Sequence, residues 1–416
     1  MTSFRPIHLL IVIYLISRLF IWVFRPQAFS EIIYSYMPYA HLWASGTKPY
    51  LEQWYEYPPV TIPLFYIPHI IDRETRETPF HLNYLQSYRG LLLIVDLLLF
   101  GLIWKTLQKQ KVALPIFITA VLYYIGVTTK AHHFLYDTMD LTFAASLTLA
   151  AAAPVILSAK TASFFSWLGT FLAIGLKYVN APLIPIYALL ERQNWKRLVV
   201  SGFIAFALVW ALPLSLFRSS LSVSLVYHDM RGIQVDSAAA ILLRTIDQFT
   251  QSERIIEIYK NYEVTGPLTD QAKSVMKLLF PASLLIYVAI ACWLVLKVTH
   301  KRSQFLRIHL TLGYILLFML TGKVLSTPFL LWHIPLLAIY PFTSLKRQLS
   351  FLVPSAIIIF VSMTQVSNDL IGIFPIPLIV GWIRTLAFGF LFIQWLCLTR
   401  DEQREAHSPV TSATDK

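Results

Sequence analysis

A carboxylate that acts as a general base needs a place where water is scarce and its proton affinity is raised. Glu31 is positioned for that role. It stands a few residues past the first apolar run, Ile7–Phe24, where the edge of a hydrocarbon layer makes an unpaired carboxylate costly. The plainer reading is a solvated loop glutamate. Beyond it, Tyr36, Tyr39, Ala40 and Trp43 recur at i, i+3, i+4 and i+7, one stripe of a helix. Aromatic rings favour the headgroup level, so the spacing predicts a helix lying flat on the membrane surface. Gly46 supplies the left-handed stop that ends such a helix. Glu56-Tyr57-Pro58-Pro59 then fixes an extended turn, because each proline restricts itself and the residue before it.

A second polar set, Lys130, His132, His133, Asp137 and Asp140, falls between two apolar runs. Asp137 and Asp140 are spaced i, i+3 and could share one face at the top of a helix. Two histidines and two carboxylates could hold a divalent metal, although hydrogen bonding in a polar vestibule is the commoner use. Cys292 and Cys397 lie inside apolar runs, which suggests neither a disulfide framework nor a thiolate metal site. No glycine-rich phosphate loop or Asp-x-Asp pair is present, so a nucleotide-sugar site is not visible.

The elements that must position these residues are membrane helices. Of 416 residues, 56% are hydrophobic and 13% charged, which excludes an ordinary soluble protein. The runs expected to span, about 12 in all at roughly 20 residues per crossing, begin with Ile7–Phe24, Tyr84–Trp104, Val112–Thr129 and Leu135–Leu157. Ala162–Leu176, Val179–Leu190, Leu198–Phe217 and Met276–Leu296 follow. Ile308–Thr321, Pro328–Tyr340, Leu349–Val366 and Ile376–Leu398 complete the set. The first run carries Arg18 and lacks a small-residue cleavage pattern, so it reads as a retained helix. Val60–Ile71 is too short to cross and is interrupted by Pro63 and Pro68, which makes it interfacial or re-entrant.

With Val60–Ile71 left out, the basic clusters at Lys105–Lys111, Arg192–Arg197, Lys297–Arg307, Lys346-Arg347 and Arg400–Arg404 share the side of the N-terminus. The positive-inside rule then puts both termini in the cytoplasm. The formal charge of +12 reflects this asymmetry and the anionic lipid surface, not nucleic-acid binding. The expectation is one integral-membrane domain over 1–400, with long outer loops at 25–83 and 218–275. A polar tail at 401–416 is expected to be disordered.

An acid followed by Tyr36, Ala40, Gly46, Pro49 and Tyr50, then Glu56-Tyr57-Pro58-Pro59, resembles the first outer loop of GT-C glycosyltransferases. It is most similar to glycosyltransferase family 87, which uses polyprenyl-phosphate mannose or arabinofuranose. Tyr227-His228-Asp229-Met230-Arg231-Gly232-Ile233-Gln234 and Gly322-Lys323-Val324-Leu325-Ser326-Thr327-Pro328, before Trp332, agree with it. Two departures stand out: Glu31 replaces the usual aspartate, and Ser-Thr-Pro-Phe replaces Ser-Pro-Gln-Tyr after the lysine-valine pair.

The resemblance implies an all-α GT-C-like bundle with interfacial helices in the first outer loop. It also implies an inverting glycosyltransferase on the extracytoplasmic face of a cell membrane. The partners would be a polyprenyl-phosphate-sugar donor, a glycolipid or glycan acceptor and membrane lipids, with no metal or other cofactor. Lys177 and Lys323 could simply snorkel to the interface. Alternatively Arg231, His228, Lys323 and Lys177 bind the donor phosphate, whose departure needs cationic stabilisation. Glu31 would be the catalytic base. Tyr50, Trp54, Glu56, Tyr57, Gln234, Asp137 and Asp140 would contact sugar or acceptor. The rival reading is a transporter or flippase of a lipid-linked sugar, for which Asp96, inside a span, is the main candidate.

Overall fold

The computed structural model describes residues 6–24, 31–258, 261–297, 303–368 and 377–407. Parts of the basic stretch 297–307, of the loop after residue 367 and of the tail lie outside these residues. The chain opens with α1 (Pro6–Phe24), a single π-helical turn (Ile32–Tyr36), α2 (Met37–Ala44) and α3 (Thr61–Thr75). Next come α4 (Tyr84–Gln110), α5 (Leu114–Lys130), the short α6 (His132–Leu135), α7 (Asp140–Ile156) and α8 (Ala159–Leu176). After α9 (Leu183–Leu190), a nearly continuous helical path runs through α10 (Trp195–Phe206), α11 (Leu212–Phe217) and α12 (Ser222–Met230).

Among the described residues, five helical stretches are long and apolar enough to cross a membrane: Tyr84–Gln110, Arg192–Met230, Pro267–Lys297, Leu345–Met363 and Leu378–Leu398. Shorter apolar helices cover His8–Phe24, Leu114–Lys130, Asp140–Ile156, Phe305–Thr321 and Thr327–Ala338. Two expected spans are not continuous helices. Val179–Leu190 contributes only the 8 residues of α9, about 12 Å of rise. Pro328–Tyr340 is a 3₁₀ turn (Thr327–Leu331) followed by another short helix, and both carry a proline in their first turn. Irregular backbone at membrane depth is tolerated where protein covers it. Here Leu330, Trp332, Ile334, Leu336 and Leu337 are all buried.

The segment 218–275, expected as the second outer loop, corrects the all-α expectation. It folds as β1 (Ile233–Gln234), α13 (Ala238–Thr250), β2 (Arg254–Ile258) and β3 (Asn261–Thr265), an antiparallel sheet of order β1-β3-β2. The β2 segment RIIEI and the β3 segment NYEVT carry β-branched and aromatic residues suited to a pleated surface. A small core of Ile233, Val235, Ala240, Leu243 and Val264 lies between sheet and helix. From here α14 (Pro267–Lys297) begins earlier than expected, and α15 (Ser303–Thr321), α16 (Ile334–Ala338), α17 (Leu345–Asn368) and α18 (Leu378–His407) complete the chain. Helix α18 carries through the start of the expected tail to His407, and residues 408–416 lie outside the described residues.

Arg18 and Asp96 form one of the charge pairs buried inside the bundle. Arg18 Nε donates to Asp96 Oδ2 at 2.6 Å, and its NH2 donates to Thr128 Oγ1 at 2.8 Å. The Tyr124 and Tyr136 hydroxyls donate to the same carboxylate at 2.5 and 2.7 Å, and the guanidinium sits 4.4 Å from the Tyr14 ring centre. Asp96 is therefore saturated with protein donors, which removes the residue on which the transporter alternative leaned. Asp96→Ala should destabilise the fold by about 3–5 kcal/mol, because Arg18 would be left buried without its counter-ion. Thermal unfolding in detergent reads this. A melting temperature unchanged from wild type would show that the pair is not structural.

Candidate active site

The π turn explains how Glu31 is held. At that winding, residues five apart come together, and the Tyr36 hydroxyl donates to Glu31 Oε2 at 2.6 Å. Tyr36 is itself clamped, stacked on Phe65 with ring centres 4.0 Å apart. Glu31 is exposed by surface area, yet its carboxylate is held against Tyr36 and loses water there. That desolvation is the main cause of its raised pKa; Asp140 and Glu56 push the same way, while Tyr36 and Lys177 oppose. A carboxylate that is desolvated yet open to approach suits a base that must meet an incoming hydroxyl.

The aromatic stripe packs on protein and does not supply the membrane-facing rings the sequence suggested. Tyr36 and Ala40 are buried. Tyr39 meets Tyr55 and Tyr57 edge-on, and its hydroxyl donates to Glu56 Oε2 at 2.6 Å. The rings prefer this cluster because the Tyr-Pro-Pro turn folds back over α2 and offers both apolar faces and acceptors. Gly46, with φ +102°, reverses the chain as expected. Gly175, at the end of α8, lets the turn dock: Val60 N donates to its carbonyl at 3.0 Å, and a Cβ there would meet Val60 Cγ2 at 2.2 Å.

The expected sugar-contacting residues therefore separate. Tyr50 is 4% exposed, adopts φ +65° and donates its hydroxyl to the Tyr57 carbonyl at 2.5 Å, so its ring is committed to packing. Tyr57 is partly buried in the same cluster. Trp54 is 49% exposed and is the expected stacking ring that faces outward.

Asp137 and Asp140 do not act as a pair. Asp137 precedes α7 and takes a bidentate bond from Arg89, at 2.8 and 2.9 Å. Asp140 opens α7, lies 3.1 Å from Lys177 Nζ and accepts from Trp332 Nε1 at 2.7 Å. The Lys177 ammonium also lies 4.1 Å from the Phe329 ring centre. Among the described residues, no group of three or more His, Cys, Asp or Glu is arranged to hold a metal ion.

The cationic half is built from α12, β1 and the corner after α15. Lys323 Nζ donates to the carbonyls of Arg231, at 2.8 Å, and Asp229, at 3.0 Å. This leaves one of its three N–H donors for another acceptor. Burial pushes the Lys323 pKa down, with Arg231 and Lys277 adding to the effect and Asp229 and Glu263 opposing it. Gln234 N donates to the Lys323 carbonyl at 2.9 Å, and Gly232 N donates to Glu263 Oε2 at 2.9 Å. The backbone around Arg231 is thus pinned from both sides. Its side chain is not: Nε and NH2 are buried and have no hydrogen-bond partner, and the guanidinium carbon lies 5.9 Å from the Tyr227 ring centre.

Long-range electrostatics ties the halves together. Lys177 acts on Glu31 and on His228, while Arg231 and Lys323 also act on His228. Tyr39 and Tyr227 are likewise within reach of one another. Lys177 is thus within electrostatic reach of both Glu31 and His228. Sequence reasoning missed Tyr36 as the partner of Glu31, Arg89 as the partner of Asp137, and Glu263. An arginine at position 89, inside an apolar run, was the visible signal for one of them.

No family model matches the chain, and no curated protein matches it by sequence. Two solved structures do match it by fold. ArnT from Cupriavidus metallidurans in the apo state aligns over 96% of this chain and 78% of that one, with a TM-score of 0.51 and 13% identity. The same protein bound to undecaprenyl phosphate aligns over 97% and 79%, with a TM-score of 0.47 and 13% identity. The chain shares the overall fold of the apo ArnT structure.

Proposed function

We propose that this chain is an inverting GT-C glycosyltransferase that moves a sugar, mannose or another hexose or pentose, from a polyprenyl-phosphate donor to a glycolipid or glycan. The observation that carries the reading is the Arg231 guanidinium, two of whose nitrogens are buried and unpartnered. Buried donors are rarely left unmet, and a cation in that state calls for an anion. A lipid phosphate enters at headgroup depth and presents oxygens that a guanidinium fork can bind in pairs.

In this reading Arg231, His228, Lys323 and Lys177 stabilise the phosphate as it leaves. Glu31, within electrostatic reach of Lys177, takes the proton of the acceptor hydroxyl as the anomeric carbon is attacked opposite the phosphate. In-line attack from the opposite face inverts the anomeric centre. Gln234 and Trp54 contact the sugar or acceptor, and Asp140 acts by holding Lys177 and Trp332. The site faces the extracytoplasmic side and both termini face the cytoplasm, as the positive-inside rule requires. The resemblance of the outer-loop motifs to family 87 favours mannose or arabinofuranose.

The test is transfer of radiolabelled sugar from polyprenyl-phosphate mannose, arabinofuranose or glucose, in membranes carrying the chain. Chain-dependent incorporation into a glycolipid or glycan is expected with one of these donors. Transfer that occurs only from a nucleotide sugar would overturn the reading.

A further inference from the structure

We infer that Arg384, on the last membrane helix, is a positioning residue for the donor-phosphate site, acting through Asp236, in the turn after the short strand β1 (Ile233–Gln234) that Arg231 leads into. The inference rests on reading that site as a phosphate site. Helix α18 is pressed against α13: Gly381 leaves no room for a side chain, since a Cβ would meet Ile241 Cδ1 at 2.2 Å. Trp382 Nε1 donates to Thr245 Oγ1 at 2.9 Å. Arg384, 1% exposed, reaches past this seam. Its NH2 donates to the Asp236 backbone carbonyl, and its NH1 lies 4.0 Å from Asp236 Oδ2.

Asp236 is where the segments meet. Thr327, which follows Lys323 by four residues, is near enough to favour the charged form of this carboxylate. Ser237 N donates to the Gln234 carbonyl, and Gln234 N donates to the Lys323 carbonyl, both at 2.9 Å. Lys323 Nζ then holds the Arg231 carbonyl. A hydrogen-bonded path thus runs from α18 to the backbone of Arg231.

The pair is poorly suited to a purely stabilising role. Arg384 Nε and NH1 and Asp236 Oδ1 are buried with no hydrogen-bond partner. A buried ion pair with unmet donors is commonly no more stable than an apolar replacement of its volume. What this pair fixes is where β1 sits relative to α18. Misplacing a binding group by about 1 Å is enough to cost on the order of a hundredfold.

The experiment is a double-mutant cycle on binding of undecaprenyl phosphate to the full chain in detergent, using Arg384→Gln, Arg231→Lys and both together. Arg384→Gln should weaken binding by roughly tenfold or more, and Arg384→Lys should recover part of that loss. The double variant should bind no more weakly than Arg231→Lys alone, because a flexible lysine no longer depends on the strand's placement. Additive losses, or full affinity in Arg384→Gln, would overturn the inference. Should Arg384→Gln fail to fold, Asp236→Asn keeps the backbone carbonyl and enters the same cycle. Wild-type affinity in both Arg231→Lys and Arg231→Met would instead refute the phosphate site itself.

Discussion

Replacing Glu31 by glutamine should reduce sugar transfer by about 10²–10⁴-fold, the usual worth of a positioned general base, while donor affinity stays within a few-fold of wild type. The split follows from geometry. Glutamine keeps the acceptor oxygen that Tyr36 bonds, so the π turn and the Tyr36–Phe65 stack have no reason to move. Only the capacity to take a proton is lost. The same residue sets the acid limb of the pH–rate profile. An ordinary glutamate titrates near about 4.3, and burial raises Glu31 above that value. As the pH falls through the raised pKa the carboxylate is protonated, so activity should fail at a higher pH than an ordinary glutamate would dictate. Glu31→Asp should keep an acid limb with lower turnover, and Glu31→Gln should flatten it. Full turnover in Glu31→Gln would move the base to another carboxylate, Glu56 being the nearest candidate in the same loop.

Arg231→Met should have the second largest effect, and it should act in two directions. Transfer should fall by roughly 10²–10³-fold, comparable to the loss of a donor that stabilises developing negative charge, with donor binding weakened in parallel. Stability should be at least as high as wild type, because the change removes a buried guanidinium with two unpartnered nitrogens and supplies a flexible apolar chain of similar length. Lost activity with retained or raised melting temperature is the signature of a group kept for binding and not for folding. A fall in both would mark Arg231 as structural.

How much of this was legible beforehand depends on the kind of contact involved. The membrane helices announced themselves through long apolar runs, and Gly46 and the Tyr-Pro-Pro turn through local backbone chemistry. Where periodicity alone was used, it failed instructively. The Tyr36–Trp43 stripe was real, but a stripe of rings fits a buried aromatic cluster as well as a lipid surface. Nothing local distinguishes the two, since the deciding partners, Phe65 and the folded-back Tyr55 and Tyr57, come from a later segment. Asp137 and Asp140 carried helical spacing, yet α7 starts only at Asp140, so the two carboxylates part toward Arg89 and Lys177. Tyr36 could not be paired with Glu31 by ordinary helical spacing, because five-residue contact requires a π turn. The sheet within 218–275 was overlooked because its strands are short and embedded among helices. The route from Arg384 to Arg231 crosses three chain segments and has no local signature.

A structure of the chain with a non-hydrolysable polyprenyl-phosphate-sugar analogue bears most directly on the convergence of base and cations in one outer pocket. The expected density has the phosphate against the Arg231 guanidinium and the anomeric carbon between it and the Glu31 carboxylate. Phosphate bound away from Arg231, or Glu31 and Arg231 on opposite faces of the membrane, would contradict it.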